Sequence, residues 1–182
     1  NFGNICAGIL AHHRGLPVEH FIAACNVNDV VPEYLRTEIL QPKETVATIS
    51  NAMDVGDPSN FVRILELFDK EFNQVKNKLS GYTIDDEETL KTIKRVEKDY
   101  GYVLDPHGAV AFVALEKYLT ENDGKGFFLE TAHPVKFPDS VEKATGKSVE
   151  IPKSLEELMR QEKFTTEINP QYEELKEFLL KK

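Results

Sequence analysis

The run Phe21-Ile22-Ala23-Ala24-Cys25 constrains this chain more than any other segment. Consecutive apolar residues without polar alternation describe a strand covered on both faces, the pattern of a parallel sheet in an α/β protein. Helix-period sequence brackets it. Ile5, Cys6, Ile9 and Leu10 mark one face of a helix that ends near Arg14-Gly15, and Val30 to Thr37 suits a short helix. After Asp57-Pro58, residues Phe61, Ile64, Leu65, Phe68, Phe72, Val75 and Leu79 step by three or four and predict one long amphipathic helix. Asp85 with Glu88 predicts a capped start for a helix carrying Leu90, Ile93 and Val96. Asp105-Pro106 opens a further helix, apolar nearly all round from Ala109 to Leu115 and therefore central. Val46-Ala47-Thr48-Ile49 and Gly126-Phe127-Phe128-Leu129 read as further buried strands, and short helices are expected near Leu155-Met159 and Tyr172-Leu180. The alternating order predicts an α/β layer architecture with a mostly parallel sheet and flanking helices.

Charge and composition narrow the function classes. Across 182 residues, 22 basic side chains face 31 acidic ones, a net charge of −9 that argues against a nucleic-acid binder working by phosphate neutralisation. No apolar run approaches the roughly 18 to 20 residues of a membrane helix. Two cysteines, Cys6 and Cys25, fit neither a disulfide framework nor a four-cysteine zinc site, and no histidine has metal-ligand spacing. A reducing, cytoplasmic compartment and no bound metal are expected. The chain opens directly on Asn1-Phe2-Gly3-Asn4 and a buried helix, which predicts a fragment with an N-terminal part missing.

Three polar clusters follow strand candidates: Asn26-Val27-Asn28-Asp29, Ser50-Asn51-Ala52-Met53-Asp54 and Glu130-Thr131-Ala132-His133-Pro134. In open α/β sheets ligands sit beyond the carboxyl ends of the strands, so parallel strands would gather these clusters on one rim. The Asn1-Phe2-Gly3-Asn4 segment has the chemistry of an anion cradle: Gly3 permits close backbone approach, helix-start N–H groups point outward, and no lysine is needed. An ordinary Asn-rich helix cap has the same composition, and the residues alone leave both open. Thr131 reads either as a hydroxyl partner for a ring nitrogen or as a turn residue. His107, in the first turn of a helix, reads as neutral, and Arg63 can reach an anion at the rim or stay solvated.

Together, Asn1-Phe2-Gly3-Asn4, Asn26-Val27-Asn28-Asp29-Val30-Val31-Pro32, Thr48-Ile49-Ser50-Asn51-Ala52-Met53-Asp54-Val55-Gly56 and Thr131-Ala132-His133-Pro134-Val135-Lys136-Phe137 resemble the C-terminal part of the threonine synthase family, in order and approximate spacing. The resemblance implies a pyridoxal-phosphate enzyme of the tryptophan-synthase-like fold, fold type II, converting O-phospho-L-homoserine and water to L-threonine and phosphate. Asn1, Phe2, Gly3 and Asn4 match the last four residues of the family's Ser-Gly-Asn-Phe-Gly-Asn phosphate loop. Thr131 matches the threonine facing the pyridine nitrogen. Residues 1–137 are then expected to be part of the large cofactor-binding α/β domain, with 138–182 a helical extension packed on it.

The family's Schiff-base lysine lies in a Phe-Lys-Asp motif that this sequence lacks. Catalytic residues are therefore expected upstream, and this segment alone is expected to be inactive. Asn26, Asn28, Asp29, Asn51, Asp54 and Arg63 are the rim residues expected to meet substrate. The alternative is a non-catalytic module that binds phosphate or pyridoxal phosphate without the lysine. A third expectation is self-association through apolar surface left open by the missing part.

Overall fold

A computed structural model describes residues 1–181. The chain divides into a compact unit, Asn1–Val149, and a second unit from Glu150 onward. The first unit is built around two parallel strands, β1 (Phe21–Cys25) and β2 (Leu79–Thr83), with Phe21 opposite Leu79 and Cys25 opposite Thr83. Helices α1 (Gly3–His13), α2 (Val30–Thr37), α3 (Phe61–Leu67) and α4 (Phe72–Lys78) lie in the first half. Helices α5 (Asp86–Tyr100), α6 (Pro106–Glu121) and α7 (Pro138–Thr145) complete the unit. The second unit contains α8 (Lys153–Met159) and α9 (Tyr172–Leu180).

The unbroken apolar run of β1 is explained by its two covered faces. Ala23 is buried with Ile9, Val31, Tyr34, Phe61, Ile64, Val75 and Leu79, so α1 to α4 cover one side. Ile22 and Ala24 point the other way, onto Val110, Val113 and Ala114 of α6. A third cluster, containing Ile93 and Val96 of α5, Ala109 of α6 and Val141 of α7, lies on the outer side of α6. Helix α6 thus packs on both sides, as its all-round apolar sequence requires. Its start is capped by Asp105, whose carboxylate accepts from the N–H groups of His107 and Gly108, and α5 is capped by Asp85 accepting from Glu88 N–H.

Three predicted elements differ. The long helix from Asp57-Pro58 is two helices and a strand. Asp69 and Lys70 adopt left-handed conformations with φ of 53° and 60°, ending α3, and the chain re-enters a helix at Phe72 before β2. The apolar spacing survives the break because α3, α4 and Leu79 line the same core. Residues 46–49 form no strand, because side chains satisfy their backbone. Val46 N–H donates to Asn28 Oδ1 at 2.8 Å, Thr48 N–H donates to Asp54 Oδ2 at 2.9 Å, and the Val46 carbonyl accepts from Asn28 Nδ2 at 2.9 Å. Residues 126–129 are extended but join no ladder among the described residues. No helix among the described residues is long and apolar enough to cross a membrane.

Candidate functional site

The chain enters α1 through Phe2, whose φ of 58° and ψ of 22° turn the backbone so that the first helical N–H groups face out. Those of Gly3, Asn4 and Ile5 have no acceptor among the described residues. Phe2 packs against Phe61 of α3, ring centroids 6.3 Å apart, fastening this start to the core. Asn60, just before α3, donates from Nδ2 to the Asn1 carbonyl at 3.0 Å and accepts from Arg63 through Oδ1. Ser59 donates to Asn1 Oδ1 at 2.9 Å. The structure therefore ties exposed Arg63 to the Asn1–Asn4 turn through one side chain. Free N–H groups, the positive end of a helix dipole and a nearby guanidinium can hold an anion.

At the carboxyl end of β1 the Asn26–Asp29 and Ser50–Asp54 clusters interlock. Asn26 Nδ2 lies 2.8 Å from Thr48 Oγ1, 3.1 Å from Ser50 Oγ and 2.8 Å from Asp54 Oδ1, all as a donor. Asn26 Oδ1 accepts from both the backbone and side-chain nitrogens of Asn28 at 2.9 Å. Asp54 Oδ1 also accepts from Thr48 Oγ1 at 2.7 Å. Asn26, Asn28 and Ser50 are buried. Asn26, Asn28 and Asp54 thus meet in one internally satisfied network that presents exposed Asn51 on a short 3-10 turn, Asn51–Met53. Asp29 instead links Lys43, at 3.0 Å, to Thr83 Oγ1, at 3.1 Å.

His107 carries this rim across to α6. Its Nε2 accepts the Ala52 N–H at 3.1 Å, which places the ring proton on Nδ1, where it is donated to Asp105 Oδ1 at 2.6 Å. His107 and Asp105 are buried. Burial disfavours the Asp105 carboxylate, but the hydrogen bonds it accepts from the His107 ring and backbone outweigh this and bring its pKa down from 3.8 to about 2. Glu130 moves the other way, from 4.5 to about 8, first through burial and then through the neighbouring Asp105 carboxyl. Its Oε1 accepts the Asp105 N–H at 3.2 Å, while its buried Oε2 has no hydrogen-bond partner among the described residues. The two carboxyls are thus pushed apart, Asp105 toward its charged form and Glu130 toward its neutral form.

Glu130 ends the extended segment that leads to Thr131. Alternate residues of this segment meet α6 along its length. A Cβ on Gly126 would lie 2.4 Å from Leu115 Cδ1, Phe128 meets Phe112 edge-on at 5.5 Å, and a Cβ on Gly108 would lie 2.0 Å from Glu130 Oε2. The residues between them point away: Phe127 is 74% exposed, Leu129 52%, and Thr131 is exposed too. Thr131 therefore stands on an open face, beyond an edge that is packed on one side only. Past it, His133 Nδ1 accepts the Val135 N–H at 3.1 Å and shapes the turn. No cluster of metal-ligating side chains occurs among the described residues. Burial pushes the Cys25 thiol up to about 12, marking it as an inert core residue.

The family model "Threonine synthase, C-terminal" matches residues 108–179. Threonine synthase from Buchnera aphidicola of Acyrthosiphon pisum is 43% identical over 182 residues, covering 100% of this chain and 42% of the relative. The crystal structure of threonine synthase from Escherichia coli superposes with a TM-score of 0.86 at 43% identity, over 98% of this chain and 41% of that one. The chain matches the C-terminal part of threonine synthases. A PLP-bound threonine synthase from Brucella melitensis, 29% identical, superposes with a TM-score of 0.84 over 98% of this chain and 44% of that one. The chain spans about two fifths of the length of the curated threonine synthases it matches, corresponding to their C-terminal part. The α/β, fold type II expectation holds, with a small parallel sheet. The sequence reading missed the Asp105–His107–Glu130 cluster. The available signal was Gly108 in the first turn of an otherwise apolar helix, where a glycine marks close approach of another group.

Proposed function

We propose that this chain is the C-terminal part of a pyridoxal-phosphate-dependent threonine synthase that converts O-phospho-L-homoserine and water to L-threonine and phosphate. Its 43% identity to a threonine synthase over all 182 residues carries the reading. When bound, the cofactor supplies an electron sink for carbanion chemistry. The N–H groups of Gly3, Asn4 and Ile5 fit its phosphate, being free and outward-facing at the start of α1. The Thr131 hydroxyl, on the open face, partners the ring nitrogen without placing a carboxylate there, which leaves that nitrogen largely uncharged.

Substrate contacts divide into two kinds. Arg63, held by Asn60 beside the Asn1–Asn4 turn, offers a charge-assisted hydrogen bond to a phosphate. Asn51 is exposed and free to reach the amino-acid end of the substrate. Asn26, Asn28 and Asp54 act by holding the Asn51 turn, and Asp29 by holding Lys43 and Thr83. The proton-transferring lysine comes from the part of the enzyme that this chain does not span, in the same reducing, cytoplasmic setting. Phosphate release from O-phospho-L-homoserine, with added pyridoxal phosphate, tests the proposal on this chain and on the longest natural protein containing it. Activity is expected only in the longer protein. A longer protein that binds the cofactor but releases no phosphate overturns the assignment, and activity in this chain alone overturns the division of the site.

A further inference from the structure

We propose that Glu130 is a positioning residue: seated in the notch over Gly108, its carboxyl sets the register of residues 126–131 and so turns Thr131 toward the cofactor ring. The inference rests on the reading of Thr131 given above. In extended backbone a slip of one residue inverts every side chain. In residues 126–131 the face toward α6 carries Gly126, Phe128 and Glu130, and Thr131 falls on the open side with Phe127 and Leu129.

The contacts that hold the segment are unequal. Phe128 against Phe112, and Gly126 beneath Leu115, are apolar contacts without direction. Glu130 makes the directional one. Its Oε1 takes the Asp105 N–H at 3.2 Å, and its Oε2 occupies space that a side chain at residue 108 would fill, 2.0 Å from a Cβ there. The notch itself is braced by hydrogen bonds. Asp105 is fixed by the His107 ring at 2.6 Å, and that ring by Ala52 N–H at 3.1 Å, so the seat of Glu130 is built from both α6 and the turn bearing Asn51. Burial pushes the Glu130 carboxyl toward its neutral form, which avoids two adjacent charges beside Asp105. Sequence adjacency then transmits the position of Glu130 to Thr131.

The test uses the longest natural protein that contains this chain, loaded with pyridoxal phosphate. Gly108→Ala fills the notch without removing a hydrogen-bonding group, and alanine favours the helix, so the fold is retained. Glu130→Gln keeps the shape and the acceptor for Asp105 N–H. Gly108→Ala is expected to shift the absorption maximum of the bound cofactor and to lower kcat by about 10- to 100-fold, the scale of a small misplacement. KM is expected to stay within about twofold, because the substrate contacts are untouched. Glu130→Gln is expected to keep the wild-type spectrum and kcat. A wild-type spectrum and kcat in Gly108→Ala overturns the proposal, as does Glu130→Gln proving as damaging as Gly108→Ala. Should Gly108→Ala not fold, Glu130→Ser against Glu130→Gln decides by the same readouts. Thr131→Val separates the two levels: an unchanged spectrum there removes the reading of Thr131 itself. A changed spectrum there, with Gly108→Ala unaffected, removes only the role of Glu130.

Discussion

Residues 46–54 and residues 126–131 have similar sequences in outline, each a short apolar run leading into a polar cluster, and they are held in opposite ways. The first is clamped by side chains. Asn26, Asn28 and Asp54 take up its backbone and hydroxyl groups, leaving an internally satisfied loop. The second is packed on one side only, by alternate residues against α6, and leaves Phe127, Leu129 and Thr131 open. A loop whose polar groups find partners within the unit is complete by itself. An extended segment with one bare face is complete only when something lies against that face. The two meet through Ala52, His107, Asp105 and Glu130.

The contrast can be broken most forcefully at Asn26. Asn26→Ala removes the donor shared by Thr48, Ser50 and Asp54 and strands buried Asn28, so urea unfolding should show a loss of about 2–4 kcal/mol. An unchanged midpoint would mean that the loop is not held by this network. His107→Ala cuts the link between the regions and leaves Ala52 N–H and Asp105 without the ring, an expected loss of about 1–2 kcal/mol in the same measurement.

A weaker effect depends on pH and separates the two carboxyls. Glu130 has a folded pKa of about 8, above its ordinary 4.5. Its contribution to stability is therefore complete below about 4.5 and lost as pH rises toward 8, where the fold must accept its charge. Thermal melting from pH 5 to 8 should decline less in Glu130→Gln than in the parent chain. Asp105, lowered to about 2 from 3.8, has the opposite sign: its contribution is complete above 3.8 and lost as pH falls toward 2. Smallest of all, Phe127→Ser and Leu129→Ser should each change stability by less than about 0.5 kcal/mol, since both side chains are already exposed. A larger loss would show that the open face is covered in solution.

Much of this was legible before any coordinates. The four motifs marked the family, and Asn1–Asn4, Thr131 and Arg63 stood out as candidate ligand groups. What was not legible was the difference between a residue that meets a ligand and one that holds the residue that does. Asn26, Asn28 and Asp54 are polar and follow a strand in either case, and only their buried partners reveal the network. Glu130 was similarly opaque, because its environment comes from burial against α6 and from Asp105, 25 positions away in the chain.

By itself the sequence determined the elements whose causes are local: the apolar run of β1, the short helix α2, the capped helix α5 and the apolar helix α6 that opens at Asp105-Pro106. Each depends on side chains within a few positions of one another. Tertiary structure decided that Leu79–Thr83 is a strand, that residues 46–49 are not, and that the long helix breaks at Asp69-Lys70. Those outcomes depend on which distant groups arrive to take a backbone N–H, and that competition is settled only when the chain has folded around it.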